Sequence, residues 1–296
     1  MPLKRLLVGL RDEDKLVLIL RLADLSDLPP AEVEIFQQTW RGIGIERRRK
    51  VIDRLIALAV SNARLNFEDV FISCLSDPDP VVRAKAIEGL WECEECSLIL
   101  TLMEMLAGDE EEIVRAAAAS ALGRFALLAE LRKVAPRHIK KIEDALFGVI
   151  EAEGEKVELQ CRAIEAVAPL SSPRVREVIY KAYQSENLKL RASALRAMGL
   201  SCDPAWLSIL LKELSSPELE MCLEAARACG ELGEEDAVPH LLRLTEGADI
   251  QTQLAAVMAL KQMGGSEAKQ ALYQCLHHPD KQVRQVAEEA VGEVGL

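Results

Sequence analysis

Apolar and small residues recur along this chain at helical spacing, and the spacing itself repeats. The stretch Leu190-Arg191-Ala192-Ser193-Ala194-Leu195-Arg196-Ala197-Met198-Gly199 sets the register. With Arg191 as position zero, the equivalent residues are Arg83, Arg115, Gln160, Cys222, Gln253 and Arg284. From Gln160 onward they lie 31 residues apart; 32 separate the first two, and 45 separate Arg115 from Gln160. Position plus three is alanine every time: Ala86, Ala118, Ala163, Ala194, Ala225, Ala256 and Ala287. Plus six is Gly89 and then alanine at 121, 166, 197, 228, 259 and 290, and plus seven is always apolar.

Positions zero, plus three, plus four and plus seven share one helical face. The opposite stripe, at minus two, plus two, plus five and plus nine, is mostly polar. A helix with one wet stripe and buried flanks sits between neighbours in a stack, and the alanine columns let those neighbours approach closely. Each such helix follows a turn (Asp77-Pro78-Asp79, Ser216-Pro217-Glu218, His278-Pro279-Asp280) and another apolar-periodic helix. Asp79, Asn187, Asp249 and Asp280, at minus four, are expected N-caps, and Ser172-Pro173 and Asp203-Pro204 open first helices. No segment reads as a strand. The pattern predicts an all-α fold, a right-handed α-solenoid of about nine helix pairs.

The segment Asp77-Pro78-Asp79-Pro80-Val81-Val82-Arg83-Ala84-Lys85-Ala86-Ile87 resembles the opening of the second helix in short bacterial HEAT repeats. The repeats are similar to the HEAT-like repeats of phycobilisome lyases. The whole chain, with Gly89-Leu90-Trp91-Glu92 and Ala121-Leu122-Gly123-Arg124-Phe125-Ala126, also resembles a group of bacterial HEAT-repeat proteins. What the resemblance implies is an α-solenoid that binds proteins, with second helices lining a concave surface.

The expected organisation is one solenoid over 1–296: divergent repeats at 1–65, regular repeats at 66–125, a basic insertion at 126–140, and regular 31-residue repeats with a C-terminal cap at 141–296. Residues 3–25 read as a degenerate first unit with Leu18 at position zero, and Arg48 holds that position in the second. In the last repeat Glu288 and Gln285 stand where earlier repeats are apolar, as a terminal unit requires, which suggests a complete array.

Half of the residues are hydrophobic and only 4% aromatic, so the core is aliphatic. A net charge of −12 argues against general nucleic-acid binding, which needs a basic surface. Leu16-Val17-Leu18-Ile19-Leu20 is too short to span a bilayer, and Arg11-Asp12-Glu13-Asp14-Lys15 interrupts any leader. Eight cysteines, several in core columns, read as small hydrophobes in a reducing compartment, the cytoplasm.

Candidate chemistry is sparse. The position-zero arginines face the core, where Asp77 and Asp109 are possible partners from the same or the neighbouring repeat. Cys93-Glu94-Glu95-Cys96 is a lone CxxC without a second pair of ligands, so no metal or cofactor is expected. The four histidines include no His-Glu dipeptide, which excludes the iron motif of deoxyhypusine hydroxylase, another HEAT-repeat protein. The candidate binding surface is the concave stripe with Lys85, Glu88, Arg124, Arg162, Glu165, Arg196, Arg227 and Met258. Its middle, Arg162 to Arg227, reads as locally basic and suited to an acidic helix or tail. Two basic clusters stand apart: Arg47, Arg48, Arg49 and Lys50, and Arg132, Lys133, Arg137, Lys140 and Lys141 in the insertion. The plain alternative for the stripe and the insertion is a solvated helix surface. A non-catalytic protein-binding scaffold is therefore the leading expectation. The alternatives are a HEAT-like lyase or maturation factor for a cofactor-bearing protein, and nucleic-acid binding through the basic clusters.

Overall fold

The structure, a computed structural model, describes residues 6–7, 9–10, 22–247 and 249–294. Among them are sixteen α-helices and no strand. They are α1 (Pro30–Trp40), α2 (Ile45–Ser61), α3 (Glu68–Cys74), α4 (Pro80–Gly89), α5 (Ser97–Gly108), α6 (Glu112–Glu130), α7 (Pro136–Ile150) and α8 (Val157–Val167). There follow α9 (Pro173–Tyr183), α10 (Leu188–Leu200), α11 (Leu207–Glu213), α12 (Leu219–Leu232), α13 (Val238–Thr245), α14 (Ile250–Met263), α15 (Gly265–Cys275) and α16 (Lys281–Val294). Consecutive helices pack together as α3 with α4, α7 with α8, α9 with α10, α11 with α12, α13 with α14 and α15 with α16. The further unit expected at 3–25 lies largely outside the described residues.

The chain divides into two compact units, Met1–Phe125 and Ala126–Leu296, with α6 crossing the division. In the first, α1 packs on α3 and α2 on α4. In the second, α8, α10, α12, α14 and α16 pack each on the next. All seven plus-three alanines have no exposed surface. Their small size sets the stacking distance. An added Cβ at Gly199 would lie 2.7 Å from the Cα of Ala228, and one at Gly230 would lie 2.9 Å from the Cα of Ala259. Position plus eight of one second helix thus meets plus six of the next, backbone against backbone.

The turn inside each pair is built by side chains. At position minus six, Asp77, Asp109, Ser185, Ser216 and His278 each accept the N–H two residues on. Carboxylate, hydroxyl and imidazole do the same job because each offers one acceptor to a nearby donor. Where that position is Gly154, a positive φ of 77° makes the bend instead. Asp79, Asn187, Asp249 and Asp280 cap the helices they open, as do Ser172 and Asp203, the latter on a 3-10 turn (Pro204–Trp206) ahead of α11. Position zero then ties the turn from behind. Arg83, Arg115, Gln160, Cys222, Gln253 and Arg284 donate to the carbonyls of Asp77, Leu106, Ile150, Leu214, Gly247 and His278. A carbonyl of the helix end or of the turn that follows it is satisfied each time, by whichever donor the repeat supplies.

Ion pairs at this level run forward to the next repeat. Arg48 meets Asp77 at 2.7 Å, with both side chains almost fully buried, and Trp40 donates to the same oxygen. Arg83 likewise meets Asp109 at 2.7 Å. The residues expected as an insertion at 126–140 are shared among the end of α6, a break around Arg132, and the start of α7 at Pro136.

Candidate functional site: the outward stripe of the second helices

In the second unit the stripe is a ladder of alternating charges. Arg162 on α8 donates to Glu158 at 2.9 Å and to Glu165 at 3.1 Å. Arg196 on α10 reaches back to Glu165 at 2.7 Å and forward to Glu224 on α12 at 2.9 Å. Glu224 also accepts from Arg227 at 2.9 Å. Hydrogen bonding to Glu224, aided by Glu165, holds the Arg196 guanidinium well above its ordinary range. The locally basic groove expected over Arg162–Arg227 is therefore corrected. Glu158 stands at minus two on α8, one turn from Arg162, and Glu224 stands at plus two on α12, where stacking brings it to Arg196. Three arginines face three carboxylates before Glu231 is counted. The Glu231 carboxyl is pushed above the usual range by burial, then by Glu224, and its Oε2 has no hydrogen bond among the described residues. Met258, further along the stripe on α14, is half exposed.

The first unit presents the same stripe differently. Here α4 and α6 flank a furrow of about 490 Å³ whose walls are largely apolar. Val60, Trp91 and Ile113 on its margin are 84%, 67% and 51% exposed. Trp91 occupies position plus eight, where α10 and α12 carry Gly199 and Gly230. Lys85 lies 2.8 Å from Glu88 and 3.6 Å from Asp53, so the two charged stripe residues of α4 neutralise each other. Among the described residues Arg124 forms no ion pair with a carboxylate. Its guanidinium donates to the carbonyls of Leu90 and Cys93, lies 5.9 Å from the Trp91 ring centroid, and is lowered from its ordinary value chiefly by burial. Sequence patterning singles out Lys85, Glu88 and Arg124 but not the apolar wall. The signal is a tryptophan in a column that holds glycine at 123, 199, 230 and 292.

The basic clusters separate. Arg48 is buried against Asp77, and Arg49 holds Asp79 through two nitrogens at 2.7 and 3.1 Å. Within Arg47–Lys50, Arg48 and Arg49 thus form a joint between repeats, and Lys50 is exposed. Arg132, Lys133, Arg137, Lys140 and Lys141 are exposed around the start of α7. All eight cysteines are free, and Cys93 is buried while Cys96 is partly exposed. Among the described residues, no group of side chains is arranged to hold a metal, and no helix is long and apolar enough to cross a membrane.

A family model described as HEAT repeats matches residues 68–146 and 207–292, together more than half of the sequence. The chain belongs to the HEAT-repeat family. Solved structures of this fold include the complex of CpcE and CpcF of phycocyanin lyase from Nostoc sp. PCC7120, at 15% identity and a TM-score of 0.52. That alignment covers 96% of this chain and 97% of the other. Escherichia coli YibA is similar at 15% identity over 80% of this chain and 96% of its own, with a TM-score of 0.47. Human deoxyhypusine hydroxylase in complex with glycerol matches at 18% identity over 99% and 96%, with a TM-score of 0.38. No curated protein matches by sequence. The α-solenoid is thus supported by the repeat family, by the helix pairs and by the likeness of fold to the lyase complex.

Proposed function

We propose that this HEAT-repeat chain is a non-catalytic scaffold that binds a protein partner through the outward stripe of its second helices. The observation that carries the reading is the furrow of the first unit, where Val60, Trp91 and Ile113 keep apolar surface in water. Apolar side chains grouped on one face mark interaction surfaces, whereas scattered ones need no explanation. In the second unit the stripe carries Arg162, Glu165, Arg196 and Arg227, whose charges are already matched, and then Met258. Catalysis has no support from nucleophile, base and orienting group converging on either stripe. Nucleic acid is disfavoured by the charge of −12 and by the engagement of Arg48 and Arg49. A cytoplasmic setting goes with this reading, because eight free thiols persist there.

Photo-crosslinking in the cells that make the protein tests it. A cross-linker at Val60 or Ile113 is expected to yield a discrete protein adduct that survives nuclease, while one at Glu177 on α9 yields none. Recovery of nucleic acid alone, or equal labelling at all three positions, would overturn the reading. A second reading, a maturation factor for a cofactor-bearing protein, draws on the fold shared with the phycocyanin lyase complex. It predicts a chromophore co-purifying with the chain, visible as absorbance beyond the protein band.

A further inference from the structure

The furrow between α4 and α6 has a shape and a charge that narrow what can occupy it. Along α6 its wall runs from Ile113 through Ala117 and Ser120 to Arg124, one residue per turn, a length of about 16 Å at the helical rise. Small side chains at Ala117 and Ser120 keep the floor open, while Val60, Trp91 and Ile113 raise an apolar margin. Between α10, α12 and α14 the corresponding space is closed, because Gly199 and Gly230 let the next helix come within backbone contact. Trp91 stands in that register, so the indole leaves room for a side chain that does not belong to this chain. The furrow is about three turns long, which matches an amphipathic helix anchored at i, i+4 and i+7.

Charge selects further. Arg124 sits at the end of this wall with its hydrogen bonds on backbone carbonyls and, among the described residues, no carboxylate in ion-pair contact. Lys85 and Glu88, on the facing helix, are already paired. Glu92, Glu94 and Glu68 also act on Arg124 from nearby, so a run of acidic residues would be repelled at the same margin. Resting on the reading of this chain as a protein-binding scaffold, the geometry points to one occupant: an amphipathic helix of a partner protein, with a row of aliphatic side chains on the furrow floor and a single carboxylate against Arg124. An acidic tail is the wrong shape and carries too much charge.

A display library of helical peptides of about fourteen residues provides the probe. Three positions on one face are fixed as leucine, and the flanking positions are varied among Glu, Gln and Lys. Selection against the full-length chain is expected to enrich one Glu at a single flanking position. Trp40 and Trp206 are buried, so the bound peptide is expected to shift the emission of Trp91 to the blue and shield it from acrylamide. Arg124→Gln is expected to weaken binding about tenfold or more, in line with loss of a charge-assisted contact. Because Arg124 also ties two carbonyls, Val60→Lys serves as a second variant. Its side chain is 84% exposed, and the change should abolish binding with the helical circular dichroism unaltered. Enrichment of Lys, enrichment of several acidic residues, or binding that leaves Trp91 emission unchanged would overturn the inference. If no peptide is enriched while Val60 and Ile113 still cross-link to a partner in cells, the helical occupant is wrong and the scaffold stands. If both experiments are empty, both fall.

Discussion

Glu231 lies on the outward stripe beside the charge ladder, yet one of its oxygens is buried without a donor. Burial and the neighbouring Glu224 lift its folded value above the ordinary 4.5. A raised value means that its favourable contribution is fully present below about pH 4.5 and is lost as pH rises through the folded value. Glu231→Gln is therefore expected to be more stable than the parent near pH 8 and equal to it near pH 4, in urea titrations at about those two values. Asp79 has the opposite sign. Hydrogen bonding to Arg49 depresses its carboxyl below 3.8, so its contribution is present above that value and lost as pH falls through the folded one. Asp77→Ala, by contrast, leaves Arg48 buried without its partner and should cost about 3–5 kcal/mol by urea unfolding at neutral pH. None of these three environments was readable at the level of one repeat. The sequence leaves Asp77 a choice between the arginine of its own repeat and that of a neighbouring one, and the partner is Arg48, position zero of the repeat before, 29 residues earlier.

At the scale of the helix, the alanine column was fully legible, because burial of a small residue at every plus three leaves a period that no side-chain detail disturbs. The caps were legible too, since Asp79, Asn187, Asp249 and Asp280 act within their own turn. What escaped was the contact between consecutive helices. The stretch from Arg162 to Arg227 reads as basic when Glu158 and Glu224 are left out, yet each lies within a turn of an arginine on its own helix, and stacking adds the contacts of Arg196 to Glu165 and Glu224. The same stacking fixes how little space remains. Gly199→Ala places a methyl 2.7 Å from the Cα of Ala228, and the overpacking is expected to cost about 1–3 kcal/mol in thermal unfolding. Gly108→Ala meets nothing within 4 Å and is expected to leave the midpoint unchanged or raise it.

Across the whole molecule, sequence patterning was sufficient for the fold and insufficient for the surface. Repeat period, turn residues and caps all report local geometry, whereas the furrow depends on a tryptophan whose meaning appears only beside two glycines from other repeats. Net charge gives one further expectation. A fluorescent DNA duplex should show no anisotropy change with the chain at moderate salt, and salt-sensitive binding would redirect attention to Arg132–Lys141. The register between Gly199, Ala228, Gly230 and Ala259 has a last consequence, for editing the chain. Excising residues 219–249 removes one full period and joins Glu218 to Ile250 in phase. Gly199 would then face Ala259, the residue that Gly230 faces now. The array is expected to close over the gap and keep a cooperative helical melt, so that the protein can be shortened by whole periods where a conventional domain tolerates no such cut.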